Sequence, residues 1–355
     1  MLHSFQITRI IDQVPVQMNY RTNIIGNLIT SASDFKVEIS EDWAGEDKTV
    51  EFREVSTAAE LQDAIDDDVK EIVLVADIKL DQPLVFGDPA QSQIARASAT
   101  ETPSFILDLG NRTISNPNDY VIENYADLRI LANTDGGLNG KGVIRSHKGK
   151  ITIEGGTYTA SSRWQDSEYQ HVLKAENTEV IINDGIFDAT IETIGGITNA
   201  MFNASENGKI TINGGTFKNV DGIIPQFAPY MFTYEKNGKL IINDGEFYGG
   251  WRFNGETATT DIYGGTFTVS YDGQSFHASS THVLKIYGGV FSLENGGKLN
   301  PTEHCAEGYQ AVLAADKQSY VVLPETEVDK YKYDIVITDP AQLTSDVIKE
   351  YSNIY

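Results

Sequence analysis

One short phrase recurs six times in the second half of the chain, and it limits what this chain can fold into. The phrase starts with β-branched or other apolar residues two positions apart, enters a turn that ends in glycine, and closes with an aromatic residue. Because glycine supplies the positive φ of a tight corner, each copy predicts two short strands joined by a bend. The copies are Ile151–Tyr158, Val180–Phe187, Ile210–Phe217, Leu240–Phe247, Thr260–Phe267 and Leu284–Phe291.

The spacing of the copies predicts an all-β chain folded as a right-handed parallel β-helix. Successive copies begin 29, 30, 30, 20 and 24 residues apart, which suits a solenoid with a constant core and loops of varying length. Antiparallel hairpins are the alternative, because Asn-Gly and Asp-Gly are hairpin signals. In the solenoid, two interior ladders are expected. They are Ile153, Ile182, Ile212, Ile242, Ile262 and Ile286, and Phe187, Phe217, Phe247, Phe267 and Phe291.

The flanks predict a capped solenoid between residues 51 and 323. Ser56–Glu60 is typical of a capping box that opens a short amphipathic helix, with Leu61, Ala64 and Ile65 on one face. Strands are expected at Glu71–Val75, Ala311–Ala315 and Tyr320–Leu323, and an exposed loop at Gln91–Pro103. Residues 1–50 are expected to hold a few separate strands. Residues 324–355 are expected to form an acidic tail with a short helix near Thr344–Tyr351.

Composition excludes some classes of partner. The formal net charge of −24 repels phosphate backbones and anionic membrane surfaces, so we expect no nucleic-acid partner. No apolar stretch approaches the roughly 18 residues of a membrane span. Cys305 is the single cysteine, which rules out an internal disulfide and a cysteine-based metal cluster. None of the six histidines has metal-binding spacing, and no cofactor is expected.

The glycine-rich phrases and the helix-then-strand opening at Ser56 to Leu80 resemble the pectin-lyase-like superfamily of right-handed β-helices. Glu303 to Val322 resembles the closing coils of such repeat proteins from gut bacteria, among them Bacteroidetes. Together these resemblances span most of residues 51–323. Enzymes of that superfamily act in a groove along one parallel sheet.

The N-terminal segment carries a second resemblance. Val14–Thr30 with Phe35–Ile39 is similar to the last strands of the fimbrillin-like surface domains of Bacteroidetes. This implies an exported lipoprotein at the cell surface. Met1–Gln6 lacks a basic flank and an apolar core, so the chain is expected to be either cytoplasmic or a fragment without its signal, and the resemblance favours the fragment. The alternative is a few strands packed on the solenoid.

The catalytic motifs of the superfamily's galacturonan hydrolases are incomplete. Asn133-Thr134-Asp135 matches one of them, but the paired Asp, the Gly-His-Gly and the Arg-Ile-Lys do not follow it, so we interpret it as a turn. A glycosidase would need two positioned carboxyls. A lyase would need a basic residue and Ca²⁺ held by carboxylates such as Asp166 with Glu168. Asp184 and Asp244 are better explained as turn residues, because other copies have glycine there.

Aromatic and cationic residues between the phrases favour carbohydrate binding, because sugars offer C–H faces to rings and hydroxyls to charged groups. Trp251-Arg252-Phe253 aligns with Met201-Phe202-Asn203 and Met231-Phe232-Thr233, and we expect the ligand there unless Trp251 and Phe253 cap the core. The frame of these strands is ambiguous by one residue, and a slip of one residue reverses inward and outward positions. The working hypothesis is a glycan-binding surface module that acts as an adhesin, with an enzyme or a rigid spacer as alternatives. Its expected ligand-binding residues are Trp164, Tyr230, Tyr234, Trp251, Arg252, Phe253, Tyr271 and His277. Neither the ligand nor the oligomeric state follows from the sequence.

Overall fold

The computed structural model divides into two compact parts, Met1–Val50 and Glu51–Tyr355. In the first part, β1 (Arg21–Ile25) pairs antiparallel with β2 (Lys36–Ser40). The predicted loop at 91–103 and the predicted helix at 344–351 lie outside the described residues. The structure describes residues 21–25, 36–40, 52–89, 104–161, 171–189, 201–219, 232–234, 237–249, 252–254, 257–269, 277–278, 281–293, 300–314 and 319–328.

The second part contains three long sheets, which we number by the order in which the chain enters them. The first sheet consists of β3 (Phe52–Val55), β4 (Glu71–Leu74), β7 (Ser104–Gly110), β10 (Asp127–Ala132), β13 (Lys150–Ile153), β16 (Glu179–Ile182), β19 (Lys209–Ile212), β22 (Lys239–Ile242), β25 (Thr259–Ile262) and β28 (Val283–Ile286).

The second sheet consists of β5 (Ile78–Lys79), β8 (Thr113–Asn116), β11 (Gly137–Gly140), β14 (Thr157–Ala160), β17 (Ile186–Asp188), β20 (Thr216–Asn219), β23 (Glu246–Gly249), β26 (Thr266–Val269), β29 (Gly289–Leu293), β30 (Tyr309–Leu313) and β31 (Ser319–Pro324). The third sheet consists of β6 (Leu84–Phe86), β9 (Ile122–Asn124), β12 (Ile144–Ser146), β15 (Leu173–Glu176), β18 (Phe202–Ser205), β21 (Phe232–Tyr234), β24 (Arg252–Asn254) and β27 (His277–Ala278).

The pairing within these sheets is parallel throughout, apart from β31 and β30 at the end of the second sheet. From β4 to β29 the chain enters the first, second and third sheets in turn, and each strand from β4 to β26 pairs with the strand three positions later. We call one such set of three strands a repeat. The prediction of an all-β chain with long parallel sheets is therefore confirmed. The hairpin alternative is wrong for these strands, because hairpins pair antiparallel.

Both predicted ladders are present and buried. The six isoleucines of the phrase pair in register along the first sheet, and each is fully buried. In the second sheet, the phenylalanine rings stack on one another from Phe187 to Phe291, with centroids 4.7 to 5.1 Å apart. Tyr158 extends the stack by one ring, 4.7 Å from Phe187. This spacing is close to the distance between neighbouring strands, so identical side chains in successive repeats contact each other directly.

The predicted cap at the beginning of the stack is also confirmed. Helix α1 (Ala58–Asp66) starts at Thr57, whose hydroxyl accepts from the Glu60 amide while the Glu60 carboxylate accepts from the Thr57 amide. The helix buries Leu61, Ala64 and Ile65, and it contacts β3 and β6, which are edge strands of their sheets. At the other end, a short 3₁₀ helix at Thr302–His304 contacts β28, the last strand of the first sheet.

The corner glycine of the phrase has the positive φ expected of it. At Gly215 φ is +106°, and an added Cβ would lie 2.8 Å from the Gly185 carbonyl oxygen of the preceding repeat. A larger residue would therefore be strained by its backbone angle and would also press against the neighbouring repeat. This double restriction explains why the glycine recurs in every copy.

One alignment made from the sequence is wrong by one residue. Phe253, not Arg252, pairs in register with Phe232, which in turn pairs with Phe202. The sequence alignment instead sets Arg252 against Phe202 and Phe232, and Phe253 against Asn203 and Thr233. Because side chains alternate between the two faces of a strand, a shift of one residue exchanges the inward and outward positions. Phe253 therefore has the same register position as Leu173 and Phe202, which are both buried.

Candidate functional site

A cluster of charged and aromatic side chains lies on the outer surface of the third sheet. Its members come from three neighbouring strands, β9, β12 and β15, and form two rows across them. We call this group the third-sheet cluster. It consists of Glu123, Tyr125, Arg145, His147, Lys174 and Glu176.

The alternation of the strands creates the two rows. The inward residues are Ile122, Ile144 and Leu173, all fully or almost fully buried. The next residue of each strand faces outward, which places Glu123, Arg145 and Lys174 in register as the first row. Two positions further on, Tyr125, His147 and Glu176 form the second row.

His147 lies between two carboxylates. Its Nε2 is 2.5 Å from Glu123 Oε2, and its Nδ1 is 2.7 Å from Glu176 Oε2. Burial opposes protonation of the ring, but the hydrogen bonds to Glu123 and Glu176 and the two negative charges outweigh it. The pKa of His147 is therefore raised above its ordinary value.

Glu176 is the most heavily paired member of the cluster. Besides His147, it contacts Lys174, whose Nζ lies 2.6 Å from Oε1, and Arg145, whose Nε donates to Oε2 at 3.2 Å. Burial would favour the neutral acid, yet these hydrogen bonds and positive charges prevail. They hold the pKa of Glu176 far below its usual range, so this carboxylate stays ionised.

Arg145 keeps part of its hydrogen-bonding capacity. Its Nη1 lies 3.8 Å from Glu123 Oε1, which is too long for a hydrogen bond. Within the described residues, the bond from Nε to Glu176 is the single one made by this side chain. The side chain is 38% exposed, twice the exposure of His147. The outer end of the guanidinium is thus oriented by Glu176 and open to a ligand.

Tyr125 provides the aromatic surface of the cluster. Its ring stacks on His147 with centroids 4.6 Å apart and planes inclined by 9°. In the preceding repeat, the same position follows Phe86 and is occupied by Gly87, which has no side chain. Tyr125 is therefore the first side chain of the second row.

A second exposed aromatic stack, formed by Tyr263 and Tyr287, differs because the residue before it in its ladder has a side chain. Tyr263 and Tyr287 stack at 4.7 Å with an 11° inclination, and Tyr263 is 50% exposed. Asn243 occupies the position before Tyr263 in the same ladder, whereas the position before Tyr125 is a glycine.

Buried polar groups beneath the cluster fix its geometry. The Asn124 amide nitrogen lies 2.8 Å from the Ala126 carbonyl oxygen and 3.1 Å from that of Lys148. It also lies 3.1 Å from Ser146 Oγ. These contacts hold the two bends that carry Tyr125 and His147. Because Asn124 and Ser146 are fully buried, the bends are tied to the core rather than to solvent-exposed contacts.

In the later repeats, the longest connecting segments are those that lead from the second sheet into the third. From β13 to β26, three residues connect each first-sheet strand to the second sheet. By contrast, the connections from the second sheet to β15, β18, β21, β24 and β27 range from two to thirteen residues. Variation in loop length is thus concentrated where the chain enters the third sheet.

The residues predicted from the sequence belong to this same sheet or to the segments leading into it. Arg252 pairs in register with His277, and Phe253 lies in the row of Phe232. Tyr234 pairs with Ala204, which is buried. Trp164, Tyr230, Trp251 and Tyr271 lie outside the described residues, as do Asp166 and Glu168.

The third-sheet cluster is not among the sites predicted from the sequence. A signal was present, because three strand sequences share the order apolar, charged, small, then aromatic or ionisable. They are Ile122-Glu-Asn-Tyr125, Ile144-Arg-Ser-His147 and Leu173-Lys-Ala-Glu176. The prediction that Asp184, Asp244 and Asn133-Thr134-Asp135 belong to turns is confirmed. Asp184 and Asp244 each accept a hydrogen bond from the next residue, a glycine, and Thr134 and Asp135 form a turn.

No protein-family model matches the chain, and neither does any curated protein or solved structure. Across the described part of the chain, no set of three or more His, Cys, Asp and Glu side chains is arranged to hold a metal ion. Within the same residues, no helix has both the length and the apolar character needed to cross a membrane.

Proposed function

We propose that residues 51–323 form a right-handed parallel β-helix that binds glycans on the outer surface of its third sheet. Eight successive visits to three parallel sheets support the helical path. The hand follows from the general rule that crossovers between parallel strands are right-handed in about 98% of cases.

The third-sheet cluster carries the proposal for ligand binding. Tyr125 offers a ring fixed by stacking on His147, and sugar C–H faces pack on such rings. Arg145 offers oriented donors, and Glu123 offers a carboxylate that accepts from sugar hydroxyls. Binding sites for small ligands combine an apolar surface with a few fixed polar groups in this way.

The connections that lead into the third sheet also support a ligand-binding role for this sheet. Their variable lengths at the entry edge of the third sheet are typical of ligand-binding loops on a constant scaffold. Arg252 and His277 pair in register further along this sheet. Between them and the third-sheet cluster, Asn203 and Ser205 of β18 are buried, so we place the contact at the cluster.

A cell-surface role as an adhesin is part of the proposal. It is supported by the similarity of Val14–Thr30 and Phe35–Ile39 to fimbrillin-like surface domains. The strand pair of β1 and β2 is compatible with a β-rich domain at that position.

Catalysis is the second candidate function. The observation in its favour is an ionisable ring held between two carboxylates, as in many acid–base sites. Against it, both nitrogens of His147 are already engaged. We expect no release of reducing or unsaturated sugar ends from pectic substrates, with or without Ca²⁺. Release of such ends, abolished by Glu123→Gln or Glu176→Gln, would favour a glycosidase or a lyase instead.

Binding is tested by titration calorimetry with neutral and acidic oligosaccharides. Tyr125→Ala and Arg145→Ala should each weaken binding about tenfold or more, because each removes a direct contact. Two matched controls come from stacks and ion pairs outside the third sheet. Tyr263→Ala removes a ring stacked in a comparable way, and Arg129→Ala removes a guanidinium paired with Glu154 at 2.9 Å. Equal losses in test and control variants, or no binding by the native protein, would contradict the proposal.

A further inference from the structure

The contacts of His147 favour its protonated state. Neutral imidazole has one N–H donor and one acceptor nitrogen, whereas the imidazolium has two donors. Here each ring nitrogen lies within hydrogen-bonding distance of a carboxylate oxygen, at 2.5 and 2.7 Å. Ionised carboxylates accept but do not donate, so with Glu123 and Glu176 both ionised the arrangement requires the imidazolium.

The charge of the cluster changes with this proton. With His147 protonated, three cations face two carboxylates and the cluster carries a net charge of +1. With His147 neutral, Arg145 and Lys174 balance Glu123 and Glu176, and the net charge is zero. The cluster is therefore more attractive to an anion when the proton is bound.

We infer that binding of an anionic group to Arg145 is coupled to proton uptake by His147, an inference that rests on the proposed glycan-binding function. When His147 is protonated, both carboxylates have a donor and the outer end of Arg145 is available. When His147 loses its proton, one carboxylate loses a donor and competes for Arg145. Linkage makes the effect reciprocal, so a bound anion also favours the protonated ring.

The surroundings of His147 set the direction of the coupling. The ring is flanked by groups from the preceding strand, from its own strand and from the following one, and its raised pKa reflects their sum. The charged and titratable groups that face it are Glu123 and Tyr125 from β9 and the bend after it, Arg145 from β12, and Lys174 and Glu176 from β15.

Titration calorimetry between pH 5.5 and 8.5 tests the inference, with three defined probes. Tetragalacturonate carries carboxylates, a heparin tetrasaccharide carries sulfates as well, and cellotetraose is neutral. We expect the affinity for at least one anionic probe to fall as pH rises through the pKa of His147, by up to about tenfold per pH unit. Cellotetraose binding should change less than twofold. Repeating the titrations in buffers of different ionisation enthalpy should show proton uptake on anion binding.

His147→Gln removes the titrating group and keeps a side-chain amide that can donate. Its affinity for the anionic probe should be nearly independent of pH, whereas the control His304→Gln should behave as the native protein. NMR titration of the His147 ring, assigned by its loss in His147→Gln, should move to higher pH when the anion saturates the site.

The outcomes separate the two proposals. If an anionic probe binds with the same pH dependence in the native protein and in His147→Gln, the coupling is wrong and glycan binding stands. If His147 titrates at the same pH with and without a bound anion, the coupling is likewise wrong. If no probe binds at any pH, the proposed function fails together with the coupling.

Discussion

The earlier and later repeats hold together by different means. From β17 to β29 the chain repeats the same residues, and stacked phenylalanines and isoleucines fill the interior. From β9 to β15 the third sheet instead joins unlike residues through directional contacts, with Asn124 and Ser146 beneath and Glu123, Arg145, His147 and Glu176 outside. Repetition stabilises the scaffold, and the chemically distinct surface lies where repetition is weakest.

The largest effect should follow from breaking the phenylalanine stack. Phe217→Ala should reduce the free energy of unfolding by about 3–5 kcal/mol, because it empties a fully buried site between two rings. Ile212→Ala in the neighbouring ladder should cost about 2–5 kcal/mol. Urea unfolding followed by circular dichroism measures both. Exposed Lys218→Ala, one residue away, should stay within about 0.5 kcal/mol, and a similar loss there would weaken the assignment of an interior ladder.

The earlier repeats should be sensitive to a polar substitution instead. Asn124→Ala should cost about 2–3 kcal/mol, because buried acceptors in two bends lose their donor. The ladder of Asn183, Asn213 and Asn243, in which Asn213 and Asn243 are exposed, provides the comparison, with amide bonds of 2.7 to 2.8 Å. Asn213→Ala should cost less than about 1 kcal/mol under the same conditions. Equal costs at the two sites would remove the distinction between buried and exposed amides.

The contribution of His147 to stability should depend on pH. The folded-state pKa of His147 is raised, so its contribution is fully present below the unfolded value of about 6.5 and is lost as pH rises through the folded value. The difference in unfolding free energy between the native protein and His147→Gln should be about 1–2 kcal/mol near pH 5.5 and should shrink by pH 8.5. Urea midpoints at both pH values measure it. A difference that grows with pH would contradict the assigned protonation.

Glu176 should show the opposite dependence at low pH. Its pKa is lowered, so its contribution is present above the unfolded value and is lost as pH falls toward the folded value. The difference between native protein and Glu176→Gln should therefore be constant from pH 6 to 5 and should decrease on further acidification. Acid unfolding curves of the two proteins test this, and parallel curves down to pH 3 would argue against the pairing of Glu176.

The smallest effect should be a gain in stability within the later repeats. Asn177, Asn207 and Asn237 occupy equivalent corners with positive φ, where asparagine is tolerated, but the next repeat has Thr257 at φ 58°. Thr257→Asn should stabilise the protein by about 1 kcal/mol by relieving strain on a β-branched residue. Asn237→Thr should destabilise it by a similar amount. A loss of stability in Thr257→Asn would mean that the bond from Thr257 Oγ1 to Asn237 Oδ1, at 2.6 Å, outweighs the strain.

The scaffold could be predicted from the sequence because its information is local and repeated. Each phrase contains its own strands and corner, so the ladders of Ile212 and Phe217 followed from the position of each residue within the phrase. The capping box at Thr57 was equally local, since its two partners are three residues apart.

The third-sheet cluster could not be predicted in this way because it depends on register between repeats. Glu123, His147 and Glu176 are 24 and 29 residues apart, and no shared phrase aligns them. They become neighbours only if three strands, preceded by loops of different length, pair in the correct register. The same difficulty explains the one-residue error at Arg252. The connection from β23 to β24 is two residues long, and the sequence around it does not indicate which residues of β24 face inward.

We propose that the ligand binds on the third sheet, where the repetition of residues is weakest. A crystal structure of the native protein with tetragalacturonate, at the pH where calorimetry gives the highest affinity, would test this binding site. We expect a sugar ring over Tyr125 and an anionic group within hydrogen-bonding distance of the Arg145 guanidinium. A saturating ligand bound instead at the Tyr263 and Tyr287 stack, with Tyr125 and Arg145 uncovered, would contradict the claim.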